Sequence, residues 1–176
     1  LLFKLNKIGI SGNLLNLIRN YLSGRKQRVI IKGQTSDWGS IDAGVPQGSI
    51  LGPLLFLIFI NDIVDNLICK VKIFADDTLL YVVADDHKLS ADLLNYNLNQ
   101  IRLWSNQWLV TFNPKKTKLL NISSKTNTKI SDLPIYFDNT KIPEVEEHKH
   151  LGLYLNNRMK WSPHVNHSIS SVSKCI

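Results

Sequence analysis

Apolar residues along this chain change their period several times, and each change marks an element. From Ser11-Gly12 to Leu22, the positions Leu14, Leu15, Leu17, Ile18, Tyr21 and Leu22 recur at three- and four-residue spacing. That spacing predicts an amphipathic helix, with Gly24 as its C-terminal cap. Val29-Ile30-Ile31-Lys32 and the stretch from Gly33 to Trp38 read as two strands around a turn. They lead into a loop punctuated by Gly44, Pro46 and Gly48. Ile50 to Ile60 is strongly apolar, and Pro53 suits a helical first turn, where its missing N–H would have no intrahelical partner. This helix is predicted to run to the region of Asp65. Val71 and Ile73, then Leu79 to Val83, are strand-like runs flanking Asp76-Asp77, so the two carboxylates fall at a hairpin bend. Lys88 to Leu109 carries Leu89, Leu93, Leu94, Leu98, Ile101, Leu103, Trp104 and Trp108 among polar residues, a long helix with both tryptophans in the core. Asn113-Pro114 breaks it, and Lys118 to Ile122 reads as a strand. A polar loop is expected from Ser123 to Ser131, then Ile135-Tyr136-Phe137, a turn at Asp138-Asn139-Thr140 and a strand from Leu151 to Leu155. Ser162-Pro163 has the form of an N-cap and first-turn proline of a last helix. The alternation predicts an α+β layer in which helices cover an antiparallel sheet.

Composition narrows the classes of function. With 176 residues, 44% of them hydrophobic, the chain can bury a core as one unit or as part of one. A net charge of +7 favours a polyanionic partner, because Lys and Arg release counterions from phosphates. The one membrane suspect, Ile50 to Ile60, is interrupted by Gly52-Pro53 and closed by Asn61-Asp62, well short of the ~20 apolar residues of a span. Cys69 and Cys175 are single and far apart, which excludes a disulfide framework or a paired zinc motif and agrees with a reducing compartment. The chain opens Leu1-Leu2-Phe3-Lys4 without a secretory signal, as expected of a piece of a longer intracellular protein, cytoplasmic or nuclear.

Adjacent carboxylates at a bend offer hard oxygen ligands, which suit Mg²⁺ bound jointly by protein and substrate phosphates. Asp is also a favoured turn residue for its local hydrogen bonds, so the pair by itself fits a plain polar turn. A second segment decides between the two. Ala43-Gly44-Val45-Pro46-Gln47-Gly48-Ser49-Ile50-Leu51-Gly52-Pro53-Leu54-Leu55-Phe56 precedes Phe74-Ala75-Asp76-Asp77 by about one helix length. Loop and hairpin together resemble motifs B and C of a reverse transcriptase, in the wording of the non-LTR (LINE-like) retrotransposon branch. Retroviral enzymes usually carry Tyr-x-Asp-Asp and group II intron enzymes Tyr-Ala-Asp-Asp, so Phe74-Ala75 and Ser49-Ile50-Leu51-Gly52 favour the LINE side.

The resemblance implies a polymerase palm over residues 1–160, covering motifs B to E, and the start of a thumb helix over 161–176. It also implies a fragment lacking most of the fingers and the motif A strand, since no Asp-x-x-x-Ala-Phe-Asp-like segment lies between Leu1 and Gly44. By resemblance, Asp76 is the principal metal ligand and Asp77 the accessory one, for Mg²⁺ or Mn²⁺. Pro46, Gln47, Gly48 and Phe74 would line the nucleotide and primer end, with Pro46 and Ser49 mainly shaping the loop; for Phe74 a core role under the hairpin is the favoured reading. Asn113 to Lys118 resembles motif D, with Lys116 protonating the departing pyrophosphate, or else simply a solvated basic turn. Arg25, Lys26, Arg28, Lys115 and Lys118 would contact nucleic acid. Leu151 and Gly152 lie in a segment, His148 to Tyr154, that resembles the primer-grip hairpin of motif E. Trp38 and Trp161 are open to base stacking or packing. The implied partners are an RNA template, a DNA primer and deoxynucleoside triphosphates, with no membrane. The implied reaction is two-metal nucleotidyl transfer to a primer 3′ hydroxyl, which this fragment would not perform alone. The rival readings are a catalytically dead nucleic-acid-binding remnant and a scaffold of the same fold. The charge predicts binding of the chain to primer–template duplex that weakens more than about tenfold between roughly 50 and 200 mM salt. A titration without binding at low salt would favour the scaffold.

Overall fold

Short stretches of special backbone geometry set where each element of this chain begins and ends. A computed structural model describes residues 1–123 and 133–173. Helix α1 is Leu2–Lys7 and α2 is Gly12–Leu22, with Ser11 as N-cap and Ser23 as C-cap. Gly24, expected as the cap itself, is the residue after it, at φ +64°, the left-handed geometry that a Cβ resists. Strands β1 (Arg25–Gln27), β2 (Ile30–Ile31), β3 (Gln34–Thr35) and β4 (Gly39–Ile41) come next. β2 and β3 pair across Lys32-Gly33, both at positive φ as a two-residue primed turn requires, and β1 pairs antiparallel with β4. Helix α3 is Leu51–Ile60, with Pro53 in its first turn, and a 3-10 turn at Asn61–Val64 carries it to Asp65.

The chain falls into two compact units, Leu1–Asp65 with Ile73–Asp77, and Asn66–Lys72 with Thr78–Ile176. In the first, Leu5, Ile18 and Leu55 form the core where α1, α2 and α3 meet. Lys4 is buried beside it. Its ammonium donates to the Phe59 carbonyl at 2.6 Å and to Asp62 Oδ1 at 2.5 Å, and lies 4.5 Å from the Phe59 ring centroid. These partners replace the water that burial removes from the charge.

Strands β5 (Lys70–Phe74) and β6 (Asp77–Tyr81) form the hairpin expected around the carboxylates. Helix α4, His87–Trp108, is capped by Asp86, whose carboxylate accepts from the Lys88 and Leu89 N–H groups, and it ends at Leu109 in the left-handed conformation. Its Ala91, Leu98, Ile101 and Trp104 are buried, together with Phe137 from a later strand and Ile135 and Ile142, which flank the later strand pair. Phe112 bridges them, its ring 6.4 Å from Trp104 and 5.9 Å from Phe137. Strand β7 is Leu119–Leu120, β8 Tyr136–Phe137, β9 Thr140–Lys141, β10 Glu144–Val145, β11 Glu147–His150 and β12 Leu153–Asn156; helix α5 is Ser162–Val172. β8 and β9 turn at Asp138-Asn139, as expected.

Mixed helices and small sheets agree with the expected α+β class, and among the described residues the sheet consists of two-stranded pairs, one of which, β7 with β10, is parallel. Two local expectations change. Leu151 does not begin a strand: Leu151 and Gly152, at φ +48° and +86°, form the turn of the β11–β12 hairpin. The N-cap of α5 is Trp161, with Ser162 its first helical residue. The expected loop beyond Ser123, as far as Ser131, and Cys175 lie outside the described residues. No helix among the described residues is long and apolar enough to cross a membrane.

Asn97, fully buried on α4, ties the start of β5 to that helix. Its Oδ1 accepts from the Ile68 N–H at 2.8 Å and the Cys69 N–H at 3.1 Å, while its Nδ2 donates to the Leu93 carbonyl and to Cys69 Sγ. Burial pushes the Cys69 thiol up from its ordinary pKa. Asn97→Leu removes the acceptor of two backbone N–H groups and is expected to lower unfolding stability by about 2–4 kcal/mol. Urea denaturation measures it, and an unchanged midpoint would show that the tie contributes little.

Candidate nucleotide and metal site

The loop before α3 is shaped by contacts to its own backbone. Ser49 Oγ donates to the Pro46 carbonyl at 2.8 Å and accepts from the Gly52 N–H at 3.0 Å, folding the loop back onto the first turn of the helix. Gly52 fills the remaining space: a Cβ there would lie 2.9 Å from both the Pro46 carbonyl oxygen and Ser49 Oγ. Gln47 and Gly48 form the exposed turn of the loop. Gly48 sits at φ +77° with nothing within 4 Å of where a Cβ would be, so glycine is required there by the backbone and leaves open space beside it.

At the β5–β6 bend, Ala75 takes φ +51° and Asp76 completes the turn, while Asp77 is the first residue of β6. Both carboxylates are exposed, and neither has a hydrogen-bond or ion-pair partner among the described residues. The core option for Phe74 is overturned, since it is 64% exposed. The reason is parity: along β5, Val71 and Ile73 are half-buried, and Lys70, Lys72 and Phe74 occupy the opposite, solvent face. Among the described residues no group of three or more His, Cys, Asp or Glu side chains could hold a metal. Asp76 and Asp77 are two hard oxygen donors, the kind of ligand with which a hard cation keeps waters or substrate oxygens in its other positions.

Arg25, Lys26, Arg28, Pro46, Gln47, Gly48, Phe74, Asp76 and Asp77 all belong to the first unit, and Lys115, Lys116, Lys118, Leu151 and Gly152 to the second. Around Asn113, the Lys115 N–H bonds to the Asn113 side chain and the Lys116 N–H to its carbonyl. Lys118 Nζ donates to the Lys115 carbonyl at 3.3 Å, whereas Lys116 is exposed without a side-chain partner among the described residues. Leu151 and Gly152 are exposed at the tip of their hairpin. Behind that tip Tyr154 stacks on His167, ring centroids 3.8 Å apart, and His167 Nε2 lies 2.9 Å from Glu147 Oε1. Arg28 lies over the Trp38 ring at 4.7 Å, which gives that exposed tryptophan a packing role. Ser49 shapes the loop, as its place in the motif implies, whereas nothing in the sequence marks Gly52 or Asn97 beyond a Ser three residues before a Gly at a helix start.

A family profile for reverse transcriptase (RNA-dependent DNA polymerase) matches residues 1–155. The chain is 29% identical over 154 residues to the probable RNA-directed DNA polymerase from transposon X-element of Drosophila melanogaster, an overlap of 85% of this chain and 17% of that protein. It is 29% identical over 175 residues to the RNA-directed DNA polymerase from mobile element jockey of Drosophila funebris, covering 94% of this chain and 18% of the relative. A retrovirus-related Pol polyprotein from type-1 retrotransposable element R1 of Bradysia coprophila is 26% identical over 156 residues, 86% of this chain and 15% of its own length. The chain thus spans about a sixth of the length of the curated relatives it matches. No solved structure matches it. With the glycine loop and the Asp-Asp bend in place, the chain belongs to the reverse transcriptase family, on its non-LTR retrotransposon side.

The loop geometry makes Gly52 a sensitive position. Gly52→Ala is expected to displace Pro46 to Ser49 and to cost about 1–3 kcal/mol of stability by overpacking. Amide spectra should show shifts concentrated at residues 45–49. A spectrum unchanged there would mean that the loop does not lean on this glycine.

Proposed function

We propose that the chain is the nucleotide-binding and metal-binding part of an RNA-directed DNA polymerase that copies an RNA template from a DNA primer using deoxynucleoside triphosphates. The observation that carries this reading is the pair of exposed, unpartnered carboxylates at the β5–β6 bend, in the same compact unit as a loop that leaves open space at Gly48. Asp76, as principal ligand, and Asp77 would hold Mg²⁺, for which Mn²⁺ can substitute; the bound ion would stabilise the attacking and leaving oxygens at phosphorus. Gly48 and Gln47 border the nucleotide, with Pro46 holding the loop's shape and exposed Phe74 beside it. Lys116, the exposed ammonium of the Asn113 turn, donates a proton to departing pyrophosphate. Lys26, Arg28, Lys115 and Lys118 neutralise phosphates of the duplex, and the Leu151-Gly152 tip meets the primer strand. In the fold of the whole enzyme, residues 1–160 are palm and α5 begins the thumb. A further carboxylate, on a segment outside residues 1–176, completes the metal site, so the isolated chain binds nucleic acid without extending a primer.

Primer extension on an RNA template tests this, using the domain completed with its upstream segment. Asp76→Asn is nearly isosteric but removes the charge that draws the ion, and should lower Mg²⁺-dependent extension on the order of a thousandfold, with Asp77→Asn less severe. Unchanged extension by Asp76→Asn would rule out the assigned metal site. A folded but inactive completed domain would favour the nucleic-acid-binding remnant.

A further inference from the structure

Arg25 opens the basic run Arg25-Lys26-Gln27-Arg28, yet the fold uses it differently from its neighbours. Lys26 is exposed and Arg28 stacks on Trp38, but the Arg25 guanidinium is turned onto backbone. Its Nε donates to the Leu22 carbonyl at 2.9 Å, and its Nη2 to the carbonyls of Ala43 at 3.0 Å and Gly44 at 2.6 Å. Leu22 is the last residue of α2, where carbonyls lack intrahelical partners and the negative end of the helix dipole lies. Ala43 and Gly44 lie one residue into the loop that runs from the end of β4 to Gln47-Gly48. The antiparallel pairing of Arg25 with Ile41 brings that guanidinium within reach of them.

We propose that Arg25 is a positioning residue for the nucleotide loop: it clasps Ala43 and Gly44 to the end of α2 and so fixes how Gln47-Gly48 is presented, rather than contacting phosphate. The inference rests on the loop being the nucleotide site. The physical requirement is a planar donor fork of permanent charge that spans several carbonyls at once. Lysine, a point donor on a flexible stem, does not meet it.

Three measurements test the clasp. On the chain itself, duplex affinity is titrated with salt. The slope of log affinity against log salt should stay at the wild-type value in Arg25→Ala and fall by roughly one in Lys26→Ala, a phosphate contact. Amide hydrogen exchange at Val45, Gln47 and Gly48 should quicken by about tenfold in both Arg25→Ala and Arg25→Lys, with the β5–β6 amides unaffected, and millimolar guanidinium should reverse the change in Arg25→Ala. A slope lowered by roughly one in Arg25→Ala, or exchange in the loop that does not change, would overturn the proposal; if Arg25→Ala does not fold, loop exchange in Arg25→Lys, which keeps the charge but not the donor fork, decides it. In the completed polymerase domain, Arg25→Lys should raise the KM for deoxynucleotide by about tenfold with kcat little changed, and a KM left at the wild-type value in an active enzyme would also overturn it. A completed wild-type domain without activity refutes the polymerase reading instead, while slope and exchange still decide the clasp.

Discussion

Two like charges side by side on a tight bend are the constraint on which the proposed site depends. Asp76 and Asp77 are adjacent, exposed and unpaired with any cation of the protein among the described residues. Solvent screens the repulsion between them, so the bend is tolerated on a surface where it would be prohibitive in the core. In the proposed site a divalent cation would convert that repulsion into attraction, and the hard oxygens would favour Mg²⁺ over softer ions. Positive φ at Ala75 is the local expense of the bend, since a non-glycine residue is held there in a sparsely populated region.

Buried polar groups with satisfied partners hold the surroundings in place. Asn97 holds the beginning of β5 to α4 through two backbone N–H groups. Lys4 joins α1 to the end of α3 through the Phe59 carbonyl and Asp62. In both cases a buried polar side chain is held by partners from another element, so each tie matters more for the geometry it specifies than for its net stability. The loop before α3 is shaped from two sides, by Ser49 and Gly52 at the helix end and by Arg25 at the strand end. Gly48 between them faces open space.

What the sequence disclosed followed from short-range physics. Periodicity and caps located α2 and α4 to within a residue or two, and turn chemistry located the bend at Asp138-Asn139. The wording of the loop and the Asp-Asp bend pointed to the family that the profile match bears out. What stayed hidden depended on contacts between distant positions. Leu151 looked like a strand residue because its side chain is apolar, while the turn it occupies is set by Gly152 beside it and by the pairing of β11 with β12. Phe74 looked like core from its chemistry, but strand parity puts it on the face of Lys70 and Lys72. The basic run gave equal weight to Arg25, Lys26 and Arg28, and only the return of the chain at Ala43-Gly44 separates the first from the others.

The central claim is that the Asp76-Asp77 bend and the Gly48 loop serve one metal-bound nucleotide. Titration of the isotopically labelled chain with Mn²⁺, followed by paramagnetic broadening of its amide signals, tests it most directly. Mn²⁺ alone is expected to broaden the amides from Ala75 to Thr78 first, and a deoxynucleoside triphosphate added to it to extend the broadening to Gln47 and Gly48. Broadening that begins elsewhere, or that never reaches the loop with nucleotide present, would contradict it.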